Sequence, residues 1–382
     1  MTISFDKYFK YCDYKINWDY VDKIPEFQKL KECEQNPVWH AEGNAYIHTR
    51  KAVEAAEKLI LDERFRDLDA KIAMMAVLFH DIGKGVTTEF KNGAWHAYGH
   101  EAAGERIARR ILWDSPLHER ELICSCVRNH MRILRFADSK NVLKDMVLAS
   151  DEFGFRWNYQ LFVKMCDNTA CLMRDKNEYD KDMAKLEALY DIAKELDILN
   201  HRFIVKTTAA SQMIYGNRKF DWIYPMCDER PIMYVLIGLP GAGKSTWCEK
   251  MGLDTVSRDA IRAELGYCKV GDKVVLSPEQ EDEVTKVFNE RLVKLLRENK
   301  NVAVDNLNIK KRYRMAIKDA VKGLDVRVTY VYMESPSLET NIQRRPTFED
   351  GAIEKMVEVL EWPSRDEYDE LWVYKTIQTE VK

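Results

Sequence analysis

The sequence predicts a multidomain protein, with an all-α N-terminal domain and a C-terminal α/β domain that contains a parallel sheet. Three observations indicate this fold class. From His48 to about residue 199, apolar residues recur at helical spacing and no segment resembles a sheet strand. The run Ile232–Ile237 is rich in β-favouring residues and leads into a glycine-rich turn. After that turn, strand-like and helix-like segments alternate, which is typical of a parallel sheet covered by helices.

Length and composition are those of a globular protein with two cores. The chain has 382 residues, of which 46% are hydrophobic and 32% charged. The formal net charge is −4, so any contact with nucleic acid has to come from local basic patches. No segment is long and apolar enough to span a bilayer, and the N-terminus MTISFDKYFK does not resemble a signal peptide. Nine cysteines without CxxC pairs indicate reduced thiols, so we expect a cytoplasmic protein without membrane contact.

The first domain is predicted to be a bundle of helices with its core at about residues 44–175. Residues 1 to about 40 contain no recognisable motif. Helices are expected at 49–64, 67–85, 99–113, 117–130, 157–173 and 180–199. Cys124 and Cys126 are expected to be helix residues rather than metal ligands. Because residues 200–230 lose helical periodicity, we place the first domain at 1–215, a linker at 216–230 and the second domain at 231–382.

Histidines are concentrated in this helical domain. Seven of the eight lie within about ninety residues, at His40, His48, His80, His96, His100, His118 and His130. The pair His80-Asp81 ends an apolar helix and is followed by Gly83 and Lys84, so an imidazole and a carboxylate are available to one cation or to two. Other helices can bring further ligands to the same point, as in metal sites of helix bundles. The alternative is a set of unrelated surface and core histidines.

The ordered series His48, His80-Asp81, His100, His130, Asp167 resembles the HD phosphohydrolase superfamily. The resemblance implies two divalent transition metals, one held by His48, His80, Asp81 and Asp167, and the other by His100 and His130 with Asp81 bridging. It also implies that Lys84 assists phosphate binding. Two cations can clamp a phosphate oxygen and activate a bound water, so the implied reaction is hydrolysis of a phosphomonoester or phosphodiester. Glu101 is a candidate to orient that water, His96 to line the pocket, and His118 is expected at the surface.

The second domain begins with the segment PIMYVLIGLPGAGKST, residues 231–246. It matches the pattern GxxxxGK[ST] between a strand and a helix, in which backbone N–H groups converge on a polyphosphate. Lys244 supplies a charge for the β- and γ-phosphates, and the Ser245 hydroxyl is placed to bind Mg²⁺. We therefore expect ATP or another nucleoside triphosphate and Mg²⁺ here, with an ordinary glycine-rich turn as the alternative. The predicted binding residues are Gly238, Gly241, Gly243, Lys244, Ser245 and Thr246.

Charged residues after the glycine-rich turn are candidates for phosphoryl transfer. Asp259 and Arg262 lie three apart on a predicted helix and so face the same way. Asp259 is either a general base for an attacking hydroxyl or an N-terminal helix residue, a position that carboxylates favour. Arg344 and Arg345 follow a third predicted strand, where they form either a lid over the β/γ-phosphates or a solvated turn.

This domain resembles the polynucleotide 5′-kinase branch of the P-loop phosphotransferases over about residues 231–375. The resemblance rests on GLPGAGKSTW, SRDAIR and VDNLN. It implies that Asp259 is the general base, that Arg262 contacts a phosphate of the acceptor, and that an arginine, in our interpretation Arg345, covers the transferred phosphate. The segment VDNLN lacks a threonine between Asp305 and Asn306, so the role of Asp305 stays open.

The order of the two domains resembles bacterial enzymes that heal broken nucleic-acid ends. That resemblance implies removal of a 2′,3′-cyclic, 2′- or 3′-phosphate by the first domain and phosphorylation of a 5′-OH end by the second. The implied partners are RNA or DNA ends and a separate ligase, because no lysine-nucleotidyl motif is present. Two alternatives remain: both domains act on free nucleotides or other small molecules, or the first domain is a nucleotide sensor that regulates the kinase.

Overall fold

The computed structural model describes residues 5–10, 14–38, 40–172, 175–203, 230–268, 275–346 and 348–375. The chain divides into two compact units, Met1–Trp222 and Ile223–Lys382. Apart from Arg230, the predicted linker at 216–230 lies outside the described residues. Within the described ranges, no helix combines the length and the hydrophobicity that a membrane crossing requires.

The described part of the first unit is a bundle of helices. These are α1 (Trp18–Val21), α2 (Pro25–Leu30), α3 (Ala45–Leu59), α4 (Ala70–Phe79), α5 (Lys84–Thr87), α6 (His100–Ile111), α7 (Leu117–Asn129), α8 (Ile133–Ala137), α9 (Val142–Ser150), α10 (Trp157–Ala170) and α11 (Lys176–Glu195). Each predicted helical segment contains a helix, whereas α1, α2, α8 and α9 were not predicted. Side-chain oxygens of Asn44, Asp69 and Asp175 cap the N-termini of α3, α4 and α11.

The predicted helix 67–85 is interrupted, and this interruption shapes the site described below. Helix α4 ends at Phe79 and α5 begins at Lys84, with a turn between them. A Cβ atom on Gly83 would lie 2.0 Å from the backbone oxygen of His100 and 2.5 Å from the backbone nitrogen of Gly104. Only glycine allows this approach. The turn therefore packs directly on the N-terminal half of α6.

A two-stranded hairpin, which was not predicted, lies among the helices of the first unit. Strands β1 (Glu89–Lys91) and β2 (Ala94–His96) pair antiparallel, with Phe90 opposite Trp95. The connecting residues Asn92 and Gly93 have φ angles of 52° and 80°. Positive φ at both central residues is the requirement of a type I′ hairpin turn, and Asn-Gly is its preferred sequence. The Asn-Gly pair was the available signal for this hairpin, and the helical pattern around it obscured that signal.

Helix α4 lies inside the bundle, in contact with α3, α7 and α10. Its sequence AKIAMMAVLF is almost wholly apolar, and every residue from Ala73 to Phe79 is buried. Helix α10 is buried along nearly its whole length, including its polar residues. Because burial of apolar surface fixes both helices in the interior, the polar residues at the end of α4 and in α10 are carried to the centre of the bundle.

The second unit is an α/β fold with a five-stranded parallel sheet, as predicted. Its elements are β3 (Ile232–Ile237), α12 (Lys244–Met251), β4 (Asp254–Val256), α13 (Arg258–Glu264), α14 (Pro278–Arg297), β5 (Val302–Val304), α15 (Lys311–Ala320), β6 (Arg327–Glu334), α16 (Leu338–Gln343), α17 (Ala352–Glu358) and β7 (Glu370–Lys375). The strand order is β4-β5-β3-β6-β7, and every neighbouring pair is parallel. The edge strand β7 was not predicted.

The carboxyl ends of β3, β4 and β5 meet at one edge of this sheet. The register pairs Val235 of β3 and Val256 of β4 with Val304 of β5. The residues that follow these three strands are the glycine-rich turn, the start of α13 and Asp305. In open parallel sheets, ligands bind at this edge. The topology therefore brings the predicted nucleotide-binding and catalytic segments of the second unit together.

Candidate active sites

The structure brings the predicted metal ligands of the first unit together in the centre of the bundle. His48 lies in α3 and Asp167 in α10. The others lie at helix ends: His80 and Asp81 follow α4, His100 begins α6, and His130 follows α7. All six residues are buried. Among these six residues, two groups have ligand geometry, His48 with His80 and Asp81, and Asp81 with His100 and His130.

Asp81 lies between two pairs of histidines. Its Oδ2 atom is 3.2 Å from Nε2 of His80 and 3.6 Å from Nε2 of His48. Its Oδ1 atom is 3.4 Å from Nε2 of His100 and 3.6 Å from Nε2 of His130. One carboxylate oxygen thus faces each pair. This is the arrangement in which a carboxylate can bridge two cations.

Asp167 joins the first of these pairs. Its Oδ1 atom is 3.0 Å from Nε2 of His48 and 3.7 Å from Nε2 of His80. The other oxygen, Oδ2, is 2.7 Å from Nζ of Lys164, one helical turn earlier in α10. Burial by itself would raise the pKa of Asp167, but Lys164 and the hydrogen bond with His48 hold it well below its ordinary value. Asp167 is therefore a carboxylate in the folded domain.

In each of the four histidines, Nδ1 makes a hydrogen bond on the outer side, and this leaves Nε2 pointing to the centre. His80, His100 and His130 each make a 2.7 Å hydrogen bond from Nδ1 to the carbonyl oxygen three residues earlier, that of Val77, Ala97 and Val127 respectively. Nδ1 of His48 is 2.8 Å from Oε1 of Glu42. Since carbonyl and carboxylate oxygens only accept, each Nδ1 carries a proton. In the neutral ring, Nε2 then presents its lone pair to the centre, which is the tautomer of a metal ligand.

The four Nε2 atoms converge in two pairs. Nε2 of His100 is 3.2 Å from Nε2 of His130, and Nε2 of His80 is 3.4 Å from Nε2 of His48. Burial and the nearby His100 hold the pKa of His130 well below its ordinary value, so His130 stays neutral. Imidazole nitrogens and carboxylate oxygens are ligands suited to divalent transition metals. The donor set therefore fits two divalent cations, one at each end of Asp81.

His80 carries a proton when no metal is bound. Burial would lower its pKa, but the carboxylates of Asp81 and Asp167 outweigh this effect and raise the pKa to about 10. Metal ligands must be deprotonated, so a cation bound by His80 replaces this proton. Asp81 itself remains ionised: burial opposes ionisation, but Lys84 and His80 hold the pKa of Asp81 well below its ordinary value.

Lys84 lies beside this group in α5, and its ammonium is buried. Its Nζ atom is 2.7 Å from Oδ2 of Asp81 and donates to Oε1 of Gln35 at 2.8 Å. The structure thus places Lys84 against the central carboxylate. Whether it also contacts a phosphate, as the resemblance implies, stays a prediction.

The glycine-rich turn of the second unit begins directly after β3. Gly241 and Gly243 have φ angles of 79° and 93°, in the region that favours glycine. A Cβ on Gly238 would lie 2.5 Å from the backbone oxygen of Met333 in β6, so this glycine allows close packing on the neighbouring strand. The turn leads into α12, which begins at Lys244.

Lys244 is buried against the glycine-rich turn. Its Nζ donates to the carbonyl oxygens of Gly238 and Leu239, at 2.9 Å and 3.0 Å. Burial lowers the pKa of Lys244 to about 8, while the carboxylate of Asp305 partly opposes this shift. The neighbouring Ser245 donates from Oγ to Oδ2 of Asp305 at 2.7 Å. A hydroxyl and a carboxylate in contact at this position are the oxygen ligands that Mg²⁺ prefers.

Comparison with known families agrees with both domain types. Residues 45–198 match the family described as HD domain, and residues 233–362 match the family described as AAA domain. The chain is an HD domain followed by a P-loop kinase-like domain. The predicted fold class and both predicted domain types are thereby confirmed.

Individual relatives cover parts of the chain. The multifunctional CCA protein of Halorhodospira halophila (strain DSM 244 / SL1) is 35% identical over 115 residues, which is 29% of this chain and 25% of that protein. The chain thus spans about a quarter of the length of this curated relative. Among solved structures, the Pnkp1/Rnl/Hen1 RNA repair complex matches at 24% identity, covering 35% of this chain and 45% of that one, with a TM-score of 0.29. A gluconokinase from Sinorhizobium meliloti 1021 matches at 19% identity, covering 39% of this chain and 85% of that one, with a TM-score of 0.27. Similarity at this level says nothing about substrates.

The acceptor side of the P-loop domain contains the pair Asp259 and Arg262 in α13. Their side chains form an ion pair of 2.9 Å, and Arg262 also pairs with Glu281 of α14 at 2.9 Å. The Asp259 side chain is 64% exposed and is available to an incoming hydroxyl. It is also the second residue of α13, so its alternative role as an N-terminal helix residue is equally present.

The predicted lid residues differ in their contacts. Arg344 donates to the carbonyl oxygen of Gly241 at 3.0 Å, and the amide of Asn341, in α16, donates to the carbonyl oxygen of Pro240 at 2.7 Å. Both therefore hold the glycine-rich turn. The Arg345 side chain is exposed, and its charge contributes to the lowered pKa of Lys244. Thr246 is exposed on α12.

Sequence reasoning missed the carboxylate behind His48. Oε1 of Glu42 is 2.8 Å from Nδ1 of His48 and 2.8 Å from Nδ1 of His40, and Leu172 N donates to Oε2 at 3.2 Å. Burial would raise the pKa of Glu42, but the two histidine hydrogen bonds lower it well below its ordinary value. A search for carboxylates near each histidine would have suggested Glu42, whereas helical spacing does not, because Glu42 precedes α3.

The remaining predicted residues of the HD domain are placed as follows. Oε2 of Glu101 is 3.6 Å from Nδ1 of His100. His96 is half-buried in β2, and His118 is exposed, as expected. Cys124 and Cys126 are buried helix residues of α7, also as expected, and the cysteines of the described residues are free thiols.

Proposed function

We propose that this chain heals broken nucleic-acid ends. The HD domain would remove a 2′,3′-cyclic, 2′- or 3′-phosphate by metal-assisted hydrolysis, and the P-loop domain would phosphorylate a 5′-OH end with ATP and Mg²⁺. The observation that carries the proposal is the combination in one chain of a bridged two-cation ligand set around Asp81 and a P-loop with the Asp259–Arg262 pair. Removing one phosphate and adding another is what the two ends of a break require before joining. Joining itself would fall to a separate ligase.

The hydrolytic half is supported by the ligand geometry. Two divalent cations, when bound, supply the charge that polarises a phosphate and activates a water. His48, His80 and Asp167 would hold one cation, His100 and His130 the other, and Asp81 would bridge them. Lys84 keeps Asp81 ionised. Glu101 lies 3.6 Å from the outward Nδ1 of His100 and stays a candidate to orient a water. Water would displace one ester oxygen of a cyclic phosphate to leave a 2′- or 3′-monophosphate, and a second water would displace the remaining ester oxygen, which leaves as a hydroxyl as phosphate is released.

The kinase half is supported by the groups around the P-loop. Lys244 would move its ammonium from the Gly238 and Leu239 carbonyls to the phosphates, and Ser245 and Asp305 would hold Mg²⁺. Asp259 would accept the proton of the 5′-OH as that oxygen attacks the γ-phosphorus and ADP leaves. Arg262, already oriented by Asp259 and Glu281, would contact a phosphate of the acceptor.

The test is an RNA oligomer with a 5′-OH and a 2′,3′-cyclic phosphate, incubated with ATP and divalent metals, with both ends resolved. The wild-type protein should alter both ends. Asp81→Asn should abolish the change at the 3′ side and leave 5′-phosphorylation intact, because Asp81 is the one residue facing both histidine pairs. Lys244→Ala should do the reverse, lowering phosphorylation at least ~10²-fold. Action on free nucleotides but not on the oligomer would favour the small-molecule alternative, and phosphorylation without any hydrolysis would favour the sensor alternative.

Binding to nucleic acid has its own signature. Contacts with phosphates release counterions, so affinity for an oligonucleotide should fall as salt rises. Retention that does not depend on salt would argue against a polynucleotide substrate. We place this activity in the cytoplasm, as expected from the reduced cysteines.

A further inference from the structure

The hairpin of the HD domain exposes aromatic side chains beside the metal-binding residues. It lies between Lys84 and His100 in the sequence. Phe90 in β1 is 61% exposed and Tyr98, just after β2, is 75% exposed. Scattered exposed apolar residues are ordinary, but these lie within nine residues of each other on a segment that begins and ends at the site. Exposed aromatic rings at this position suit contact with a ligand that has an aromatic or apolar face.

Tyr98 and His96 already form a stack. Their ring centroids are 5.0 Å apart and the ring planes differ by 12°. The other aromatic pair of the hairpin, Phe90 and Trp95, is edge-to-face, with centroids 5.1 Å apart and planes at 66°. A parallel pair presents a flat ring to a third flat ring, whereas an edge-to-face pair does not. The exposed Tyr98 is therefore the ring suited to continue a stack.

The turn that carries this stack also holds a metal-binding residue. The carbonyl oxygen of Ala97, between His96 and Tyr98, accepts from Nδ1 of His100 at 2.7 Å and from its backbone N–H at 3.3 Å. Two residues of chain span at most about 7 Å, so Tyr98 lies within a nucleotide's length of His100. A ligand whose phosphate reaches His100 and His130 can therefore place the remainder of its nucleotide near Tyr98.

We propose that Tyr98, supported by His96, stacks on the nucleobase of the terminal nucleotide whose phosphate enters the metal centre of the HD domain. This inference rests on the proposed function and names the part of the substrate that the site recognises. Stacking on an aromatic side chain accepts any base, because every base has a π-face. The HD domain would therefore select an end that bears a base without selecting its sequence.

The experiment compares two oligonucleotides that carry the same 3′-phosphate, one with a normal terminal nucleotide and one with an abasic terminal nucleotide. Fluorescence anisotropy gives the Kd of each, and hydrolysis gives KM and kcat. Tyr98→Ala should raise Kd and KM for the normal end about 5- to 100-fold, the range expected for loss of one base–aromatic stack. It should leave the abasic end unchanged. Tyr98→Trp should restore affinity for the normal end, since it restores an aromatic face.

Phe90→Ala is the matched control, because Phe90 is an exposed aromatic residue of the same hairpin outside the stack. It should change neither Kd. Equal effects of Tyr98→Ala on the normal and abasic ends, or equal effects of Tyr98→Ala and Phe90→Ala, would overturn the inference. If the wild-type protein hydrolyses these ends and Tyr98→Ala has no effect, the inference is wrong and the proposed function stands. If the wild-type protein neither binds nor hydrolyses either end, both are wrong.

Discussion

Glu42 offers a sharp test of how the HD centre is built. Its carboxylate accepts the Nδ1 protons of His48 and His40 and contacts no other predicted ligand. The substitution Glu42→Gln keeps the size of the side chain and one acceptor oxygen but removes the charge. We expect His48 to lose a charge-assisted hydrogen bond and with it part of its basicity toward a cation.

The magnitude follows from burial. The Glu42 and His48 side chains have no exposed surface, so solvent does not screen their interaction. Partners of this kind behind metal-binding histidines typically contribute 10- to 100-fold in metal affinity or activity, which corresponds to about 1.4–2.7 kcal/mol. We expect Glu42→Gln to weaken binding of one of the two cations by about 10- to 100-fold and the other much less. The reason is that His100 and His130 donate from Nδ1 to backbone carbonyl oxygens instead.

The assay is a metal titration against a competing chelator, which separates two binding constants, combined with hydrolysis of a terminal phosphate. Glu54→Gln is the matched control, since Glu54 is an exposed residue of the same helix as His48. It should behave as wild type. The 5′-kinase activity of Glu42→Gln should also be unchanged, and an unchanged helical circular dichroism spectrum would show that the HD unit is folded. Wild-type affinity for both cations in Glu42→Gln, or equal loss of both, would refute the role assigned to Glu42.

Further predictions concern the P-loop domain. Because the pKa of Lys244 is lowered to about 8, its ammonium loses its proton as pH rises through 8. The Kd for ATP, measured by calorimetry, should therefore rise up to ~10-fold per pH unit above pH 8 and stay constant below it. A constant Kd from pH 7 to 10 would contradict this. Asn341→Leu removes the hydrogen bond to the Pro240 carbonyl and should raise KM for ATP about 5- to 20-fold with little change in kcat, on the ordinary scale of a lost buried hydrogen bond. Steady-state kinetics would reject this if kcat alone falls. Arg262→Ala should mainly raise KM for the oligonucleotide and reduce its salt dependence, whereas Arg345→Ala should mainly lower kcat or raise KM for ATP; identical kinetic effects would show that one of the two roles is misassigned.

The sequence allowed the convergence of the buried histidines on Asp81 to be predicted, but not the residues that surround them. His48, His80, Asp81, His100 and His130 come together because each lies in or at the end of a helix whose apolar pattern is visible in the sequence. The contact of Glu42 with His48 depends on a non-helical segment before α3, which has no periodicity to reveal it. The same holds for Asp305, whose meeting with Ser245 requires the strand register of the sheet.

Short elements escaped prediction for a different reason. Strands β1 and β2 have three residues each, too few for an alternating pattern, so the Asn92-Gly93 turn was the signal that mattered. Strand β7, with the sequence ELWVYK, is a half-exposed edge strand that follows polar turns, and its pairing with β6 is decided by tertiary contacts.

The donor atoms of the two sites suit different cations. Four imidazole nitrogens surround Asp81 in the HD domain, whereas a hydroxyl and a carboxylate, Ser245 and Asp305, meet at the P-loop. Nitrogen-rich sites favour transition ions such as Fe²⁺, Ni²⁺ or Zn²⁺, and all-oxygen sites favour Mg²⁺. Mg²⁺ is abundant and trace metals are scarce and variable in supply. Under the proposed function, scarcity of trace metal would stop the hydrolytic reaction while the kinase reaction continues, so metal supply alone would uncouple the two reactions.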